Sequence, residues 1–328
     1  MKAIKILTMA ALATAVFASC SNDEDLAQSN YPMDNVVRIM TSVDGMNTRA
    51  SYGNSTDKLS SFGFCINNAN STTYTYDNVK VTKDGSNWNP ATQMLWQNST
   101  TPVDILAYAP YQESTEDASG KVKIFGKTDY AFSVKEDQSN AEDCSSDLIV
   151  YKQTGFTPGS ELNTSKAVEV AFTHLLSQLN LTIELRDQFN TNNNTVTKGF
   201  VTDVKVNGTI ISSKVDFSAS PISVQVDGTQ AAAINPETTG FTPAENATAH
   251  AVFNYSAIVI PQTVAAGNFS ISFKVNNTEY IWTATDAVTF ESGKKHELHL
   301  LVGKDVVQGG AISAKPWGDE TITEKETD

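Results

Sequence analysis

The sequence predicts an all-β protein arranged as two β-sandwiches in tandem, and three observations carry that reading. Short runs of alternating apolar and polar residues recur through the 328-residue chain, with turn chemistry between them. No segment sustains a helical period. The polar residues are dominated by Thr, Ser and Asn while 40% of the chain is apolar, a balance that suits a β-rich extracellular protein with real cores. Composition shifts at 154–166, TGFTPGSELNTSK, which reads as a linker between an N-terminal sandwich over 31–160 and a C-terminal one over 161–328.

The chain begins with a basic pair, Lys2 and Lys5, and an apolar stretch from Ile6 to Phe17 that is too short to span a bilayer comfortably. Ala18 and Ser19 then precede Cys20. This resembles a bacterial lipobox, with Phe17 where Leu is more usual. It predicts a signal peptide over 1–19, lipidation of Cys20 and a polar tether over 20–30. Several acyl chains on Cys20 would anchor stably to outer-membrane lipid, since each buried CH₂ contributes ~0.8 kcal/mol. The competing reading is an ordinary secretory signal with an incidental cysteine. Loss of Lys2 and Lys5 with the signal lowers the net charge from −14 to −16. Such an acidic surface repels phosphate backbones and argues against a nucleic-acid partner.

The first strand falls within Tyr31–Ala50, YPMDNVVRIMTSVDGMNTRA. Val37, Ile39 and Val43 share one face with Thr41, while Val36, Arg38, Met40, Ser42 and Asp44 share the other, the pattern of a half-buried strand. Arg49 and Ala50 follow it. On these residues alone, Arg49 reads as an ordinary loop residue after a permanent strand. Further runs are expected at 59–66, 73–81, 91–96, 103–111, 121–125, 130–134 and 147–151. A second set lies at 167–172, 179–185, 200–206, 209–217, 223–226, 251–260, 269–275, 279–284 and 294–302. Asn207-Gly208 and Asn276-Asn277 are expected as hairpin turns, and 190–194 and 235–249 as surface loops.

The combination of LAYAPY (106–111), SSDLIVY (145–151), AFTHLLSQLNLTI (171–183), IVIPQTV (258–264), FESGKKHELHL (290–300) and ISAKPWGD (312–319) resembles the fimbrillin family, the type V pilins of Bacteroidetes. The acidic stretch Ser21–Asp25 is likewise similar to the export tag of surface lipoproteins in that group. The resemblance implies two transthyretin-like sandwiches on an exported lipoprotein of the outer-membrane surface and fimbrium. It also implies an Arg-specific protease that removes a leader carrying the first strand, other pilin subunits that fill the groove left behind, and a host or bacterial surface receptor. Arg49 is where the matching cut falls, before Ala50, with Val37, Ile39 and Val43 in the removable strand. After Trp317 the chain ends in GDETITEKETD and Pro316 is expected to interrupt any strand there. That makes a poor donor strand and favours a tip, anchor or accessory subunit over a stalk repeat.

No catalytic residues, cofactor or metal are expected. His174 lacks a recognised nucleophile partner in Ser177 or Glu169 and reads as a structural histidine at a strand break, because Phe172 and His174 share one parity and Leu179 to Leu185 the other. His296 and His299 face opposite sides of one strand. Asp137, Glu142, Asp143 and Asp147 around Cys144 match no calcium-loop spacing and read as a solvated acidic loop. Cys65 lies in an apolar run, which favours free thiols over a Cys65–Cys144 pair. A second function class is a surface glycan-binding lipoprotein, with Trp88, Trp96, Tyr74, Tyr76 and Tyr108 as its aromatic platform.

Overall fold

The computed structural model describes residues 30–43, 52, 56–113, 123–190 and 196–317. Cys20, Arg49 and Ala50 lie outside the described residues. The first half supplies β1 (Ile39–Val43), β2 (Ser61–Asn67), β3 (Tyr76–Asp84), β4 (Asn87–Pro90), β5 (Val103–Ala109), β6 (Tyr130–Ser133), β7 (Ile149–Phe156) and β8 (Val168–His174). The second supplies β9 (Ser177–Leu185), β10 (Val201–Ile210), β11 (Ser212–Asp216), β12 (Ser223–Val226), β13 (Ala231–Ile234), β14 (Glu237–Thr242), β15 (Ala251–Val259) and β16 (Gln262–Val264). It continues through β17 (Ser270–Val275), β18 (Thr278–Thr283), β19 (Val288–Phe290), β20 (Lys294–Val302), β21 (Val307–Gly309) and β22 (Ser313–Pro316). Helix is confined to single turns among the described residues.

A seven-stranded sheet runs in the order β1-β8-β7-β5-β2-β3-β4. Its two faces serve different cores. Phe62, Phe64, Ile66, Ile105, Ala107, Ile149, Val168, Val170 and Phe172 point into one cluster, and Val37, Ile39 and Val43 join them. Cys65, Leu106, Tyr108 and Val150, at the intervening positions, point into the other. Burial on both faces explains why β2 and β5 read as continuous apolar runs rather than alternating ones.

The larger core lies in the second half. The sheet β14-β15-β9-β20-β21, with β22 on the same edge of β20, and the sheet β13-β10-β17-β18 share one apolar cluster that includes Leu181, Ile183, Phe253, Ile271, Phe273 and Leu300. Two sheets closed on a common core form a β-sandwich. Strand pairing crosses the expected 160/161 boundary in both directions. β8 lies beyond 161 yet pairs with β1 and β7, while β6 leaves the first half to pair with β11 in the sheet β12-β11-β6.

Several local expectations change. Residues 235–249 contain β14 rather than only loop, because Thr238, Phe241 and Thr242 pair with β15 and a bulge beside Gly240 absorbs the glycine. Asn207-Gly208 is no hairpin turn. It sits inside β10 at a register shift, with Gly208 at φ +94° and its Cα side closed by the Asn268 carbonyl, which would lie 2.0 Å from any Cβ. Asn276-Asn277, with φ of +47° and +68°, does turn the chain from β17 into β18. At 91–96 only an isolated bridge forms, Leu95 to Val36, and 123–125 is loop, where the Ile124 and Phe125 amides donate to the Asp77 carboxylate at 2.9 Å each.

Candidate strand-exchange site

The first strand is held along two lines in succession. The Val37 amide donates to the Met94 carbonyl (3.0 Å) and the Trp96 amide to the Asn35 carbonyl (2.8 Å). Three residues later the segment runs parallel to β8, in register from Ile39 opposite Val168 to Val43 opposite Phe172. β1 is an edge strand, parallel to its only sheet neighbour in an otherwise antiparallel sheet, and it approaches β4 at the opposite edge. It therefore closes the gap between the ends of the sheet.

Side-chain alternation follows the sequence. Val37, Ile39 and Val43 are buried, whereas Arg38, Met40 and Ser42 are exposed. At ~1.5–3 kcal/mol per buried aliphatic side chain, the three contribute roughly 5–9 kcal/mol as an upper figure. Arg38 forks onto Asp34 (2.6 and 3.1 Å), and this bond, with the Val36 amide, lowers the Asp34 carboxyl to about 2.

Beyond the strand, Tyr52 is buried and its amide donates to Asp147 Oδ2 at 2.9 Å. Asp147 is fully buried, which corrects its reading as part of a solvated loop. Its other oxygen accepts from His174 Nδ1 at 3.0 Å. His174 sits at the strand break that parity indicated, between β8 and β9, and its ring stacks on Trp317 with centroids 4.0 Å apart and planes within 6°. The Ser177 hydroxyl donates to the Glu291 carbonyl (2.6 Å) instead of to His174. The sequence missed Asp147 as a site residue; its place directly before the apolar run LIVY was the available signal.

Asp143 pairs with Lys135 at 2.5 Å, and its carboxyl is held down at about 2 by that lysine and Ser145. Cys65 and Cys144 are free, buried thiols in different cores, and burial pushes the Cys144 thiol up to about 12. The grouped aromatics do not form one platform. Trp96 stacks on Phe156 in the first core, Tyr108 lies in the second with its hydroxyl donating to Asn78 Oδ1 (2.6 Å), and Trp88 packs edge-on against Phe62. At the C-terminus, Pro316 does not abolish a strand. It is the last residue of β22, which pairs antiparallel with Lys294–Glu297 on an edge, where proline is tolerated.

The family profile described as fimbrillin-like matches residues 48–317, most of the chain. The chain belongs to the fimbrillin-like family. Its fold is similar to that of a candidate cell adhesion protein from Bacteroides uniformis, at 19% identity and TM-score 0.58, covering 87% of this chain and 99% of that one. A candidate cell adhesion protein from Bacteroides ovatus aligns with TM-score 0.61 at 13% identity, covering 87% and 99%. No curated protein matches by sequence. The fimbrillin-like match begins after β1 and ends at Trp317, so β1 alone among the described strands lies outside it.

Proposed function

We propose that this fimbrillin-like chain is a pilus subunit, exported as a lipoprotein through Cys20 and assembled by strand exchange after an Arg-specific protease cuts between Arg49 and Ala50. The observation that carries the reading is β1 itself. It is an edge strand whose removal would bare the β8 edge and the 94–96 backbone and would vacate the places of Val37, Ile39 and Val43. An open edge beside an apolar slot is a template for another chain's strand, which restores both the ladder and the burial.

The other two arginines suit a protease less well. Arg38 lies in the paired segment with Asp34, and Arg186 is tied to Gln308 (2.7 Å) and Val302 (3.0 Å). A tip, anchor or accessory position fits the C-terminal segment, whose β22 is spent on β20 of the same chain. Surface placement, other subunits as partners and a surface receptor follow from the same reading.

The test is to treat the folded precursor with an Arg-specific protease. The expected outcome is a preferred cut after Arg49, loss of the leader, and gain of self-association or of binding to a peptide strand. If Arg49→Ala matures and assembles like the parent, or the cut chain refuses every donor strand, the reading fails.

A further inference from the structure

Two distant parts of the chain meet at one buried carboxylate–imidazole contact. Asp147 precedes β7 and His174 closes β8, and their side chains are 0% and 1% exposed. On one side Asp147 receives the amide of Tyr52, three residues beyond Arg49. On the other, His174 is roofed by Trp317, the residue directly after β22. Trp317 is 5% exposed, and its indole covers the imidazole in parallel contact.

From this arrangement we infer that Asp147 and His174 form a latch coupling the chain at Tyr52 to the docking of the C-terminal strand. The physical link is water exclusion. Hydrogen bonds to a carboxylate in a dry site are stronger than the same bonds in water, and a donor held on one oxygen fixes the rotation that aims the other. While Trp317 lies on His174, the imidazole is fixed against Asp147 Oδ1, and Oδ2 is left facing the Tyr52 amide. Lifting Trp317 admits water to the imidazole, loosens its hold on Asp147 and weakens the grip on Tyr52. The coupling is reciprocal by linkage, so release of Tyr52 also loosens Trp317. The functional meaning rests on Arg49 as the maturation site: a docked C-terminal strand keeps Tyr52, three residues past the cut, fastened to Asp147, and an undocked one releases that hold and speeds the cut.

Amide exchange in the full-length, uncut chain tests the latch without any cleavage. In Trp317→Ala, exchange at Tyr52 is expected to rise at least tenfold while Leu181, inside β9, keeps its parental rate. Trp317→Phe, which retains a stacking ring, is expected to restore slow exchange at Tyr52. An unchanged Tyr52 rate alongside faster exchange at Ala314 in β22 overturns the latch, as does a rise at Tyr52 matched at Leu181 in both variants. Cutting by an Arg-specific protease is the second arm, expected to be faster in Trp317→Ala than in the parent. A cut after Arg49 in neither chain counts against the maturation reading alone, and the exchange rates then decide the latch.

Discussion

β1 and β22 are short edge strands near opposite ends of the described chain, of five and four residues, and they are held in different ways. β1 pairs parallel with β8 and drives Ile39 and Val43 into the first core behind Val37. β22 pairs antiparallel with β20, and none of its four residues is buried. A strand that only extends a ladder can leave and expose an edge. A strand that also fills a core leaves a slot, and whatever replaces it must carry apolar residues at alternating positions. Ser313-Ala314-Lys315-Pro316 carries none of the size of Val or Ile.

The sharpest way to break this contrast is Ile39→Ala. In the uncut chain it should lower stability by about 2–5 kcal/mol in urea unfolding, the range for truncating a buried isoleucine. Equal loss with Ile39→Ala and with an exposed change in β22 would erase the distinction. Ala314→Asp is that exposed change, and it should shift stability by no more than about 0.5 kcal/mol. The smallest effect is proton-linked. Asp34 has its carboxyl lowered to about 2 by Arg38, so its support for the first strand is complete above about pH 4 and fades as the pH falls toward 2. Asp34→Asn should flatten that part of the acid-unfolding curve for amides in β1 and leave β22 untouched.

The strands most legible in the sequence were those buried on one face. The alternation in Val168–His174 and the parity change before Leu179 located both β8 and the break at His174 from residues alone. Partnership was not legible. Nothing in Ile39–Val43 names β8 as its neighbour, and nothing in Tyr130–Ser133 names β11, because pairing depends on which exposed edges the rest of the fold leaves. Local turn chemistry misled at Gly208, where close approach to the Asn268 backbone, and not a turn, requires glycine. Asp147 was hidden by its acidic neighbours, since composition does not distinguish a carboxylate that turns inward to an amide and an imidazole from those facing water.

The shared first sheet has a mechanical consequence. A chain with two self-contained halves yields under tension at the joint between them, where few bonds cross. Here Tyr130–Ser133 is stitched into the second half, and Cys65, Leu106, Tyr108 and Val150 grip the second core from within the first sheet. A load entering near residue 56 and leaving near residue 317 finds no hinge among the described residues to open at low force. The two halves would stretch and rupture as one body.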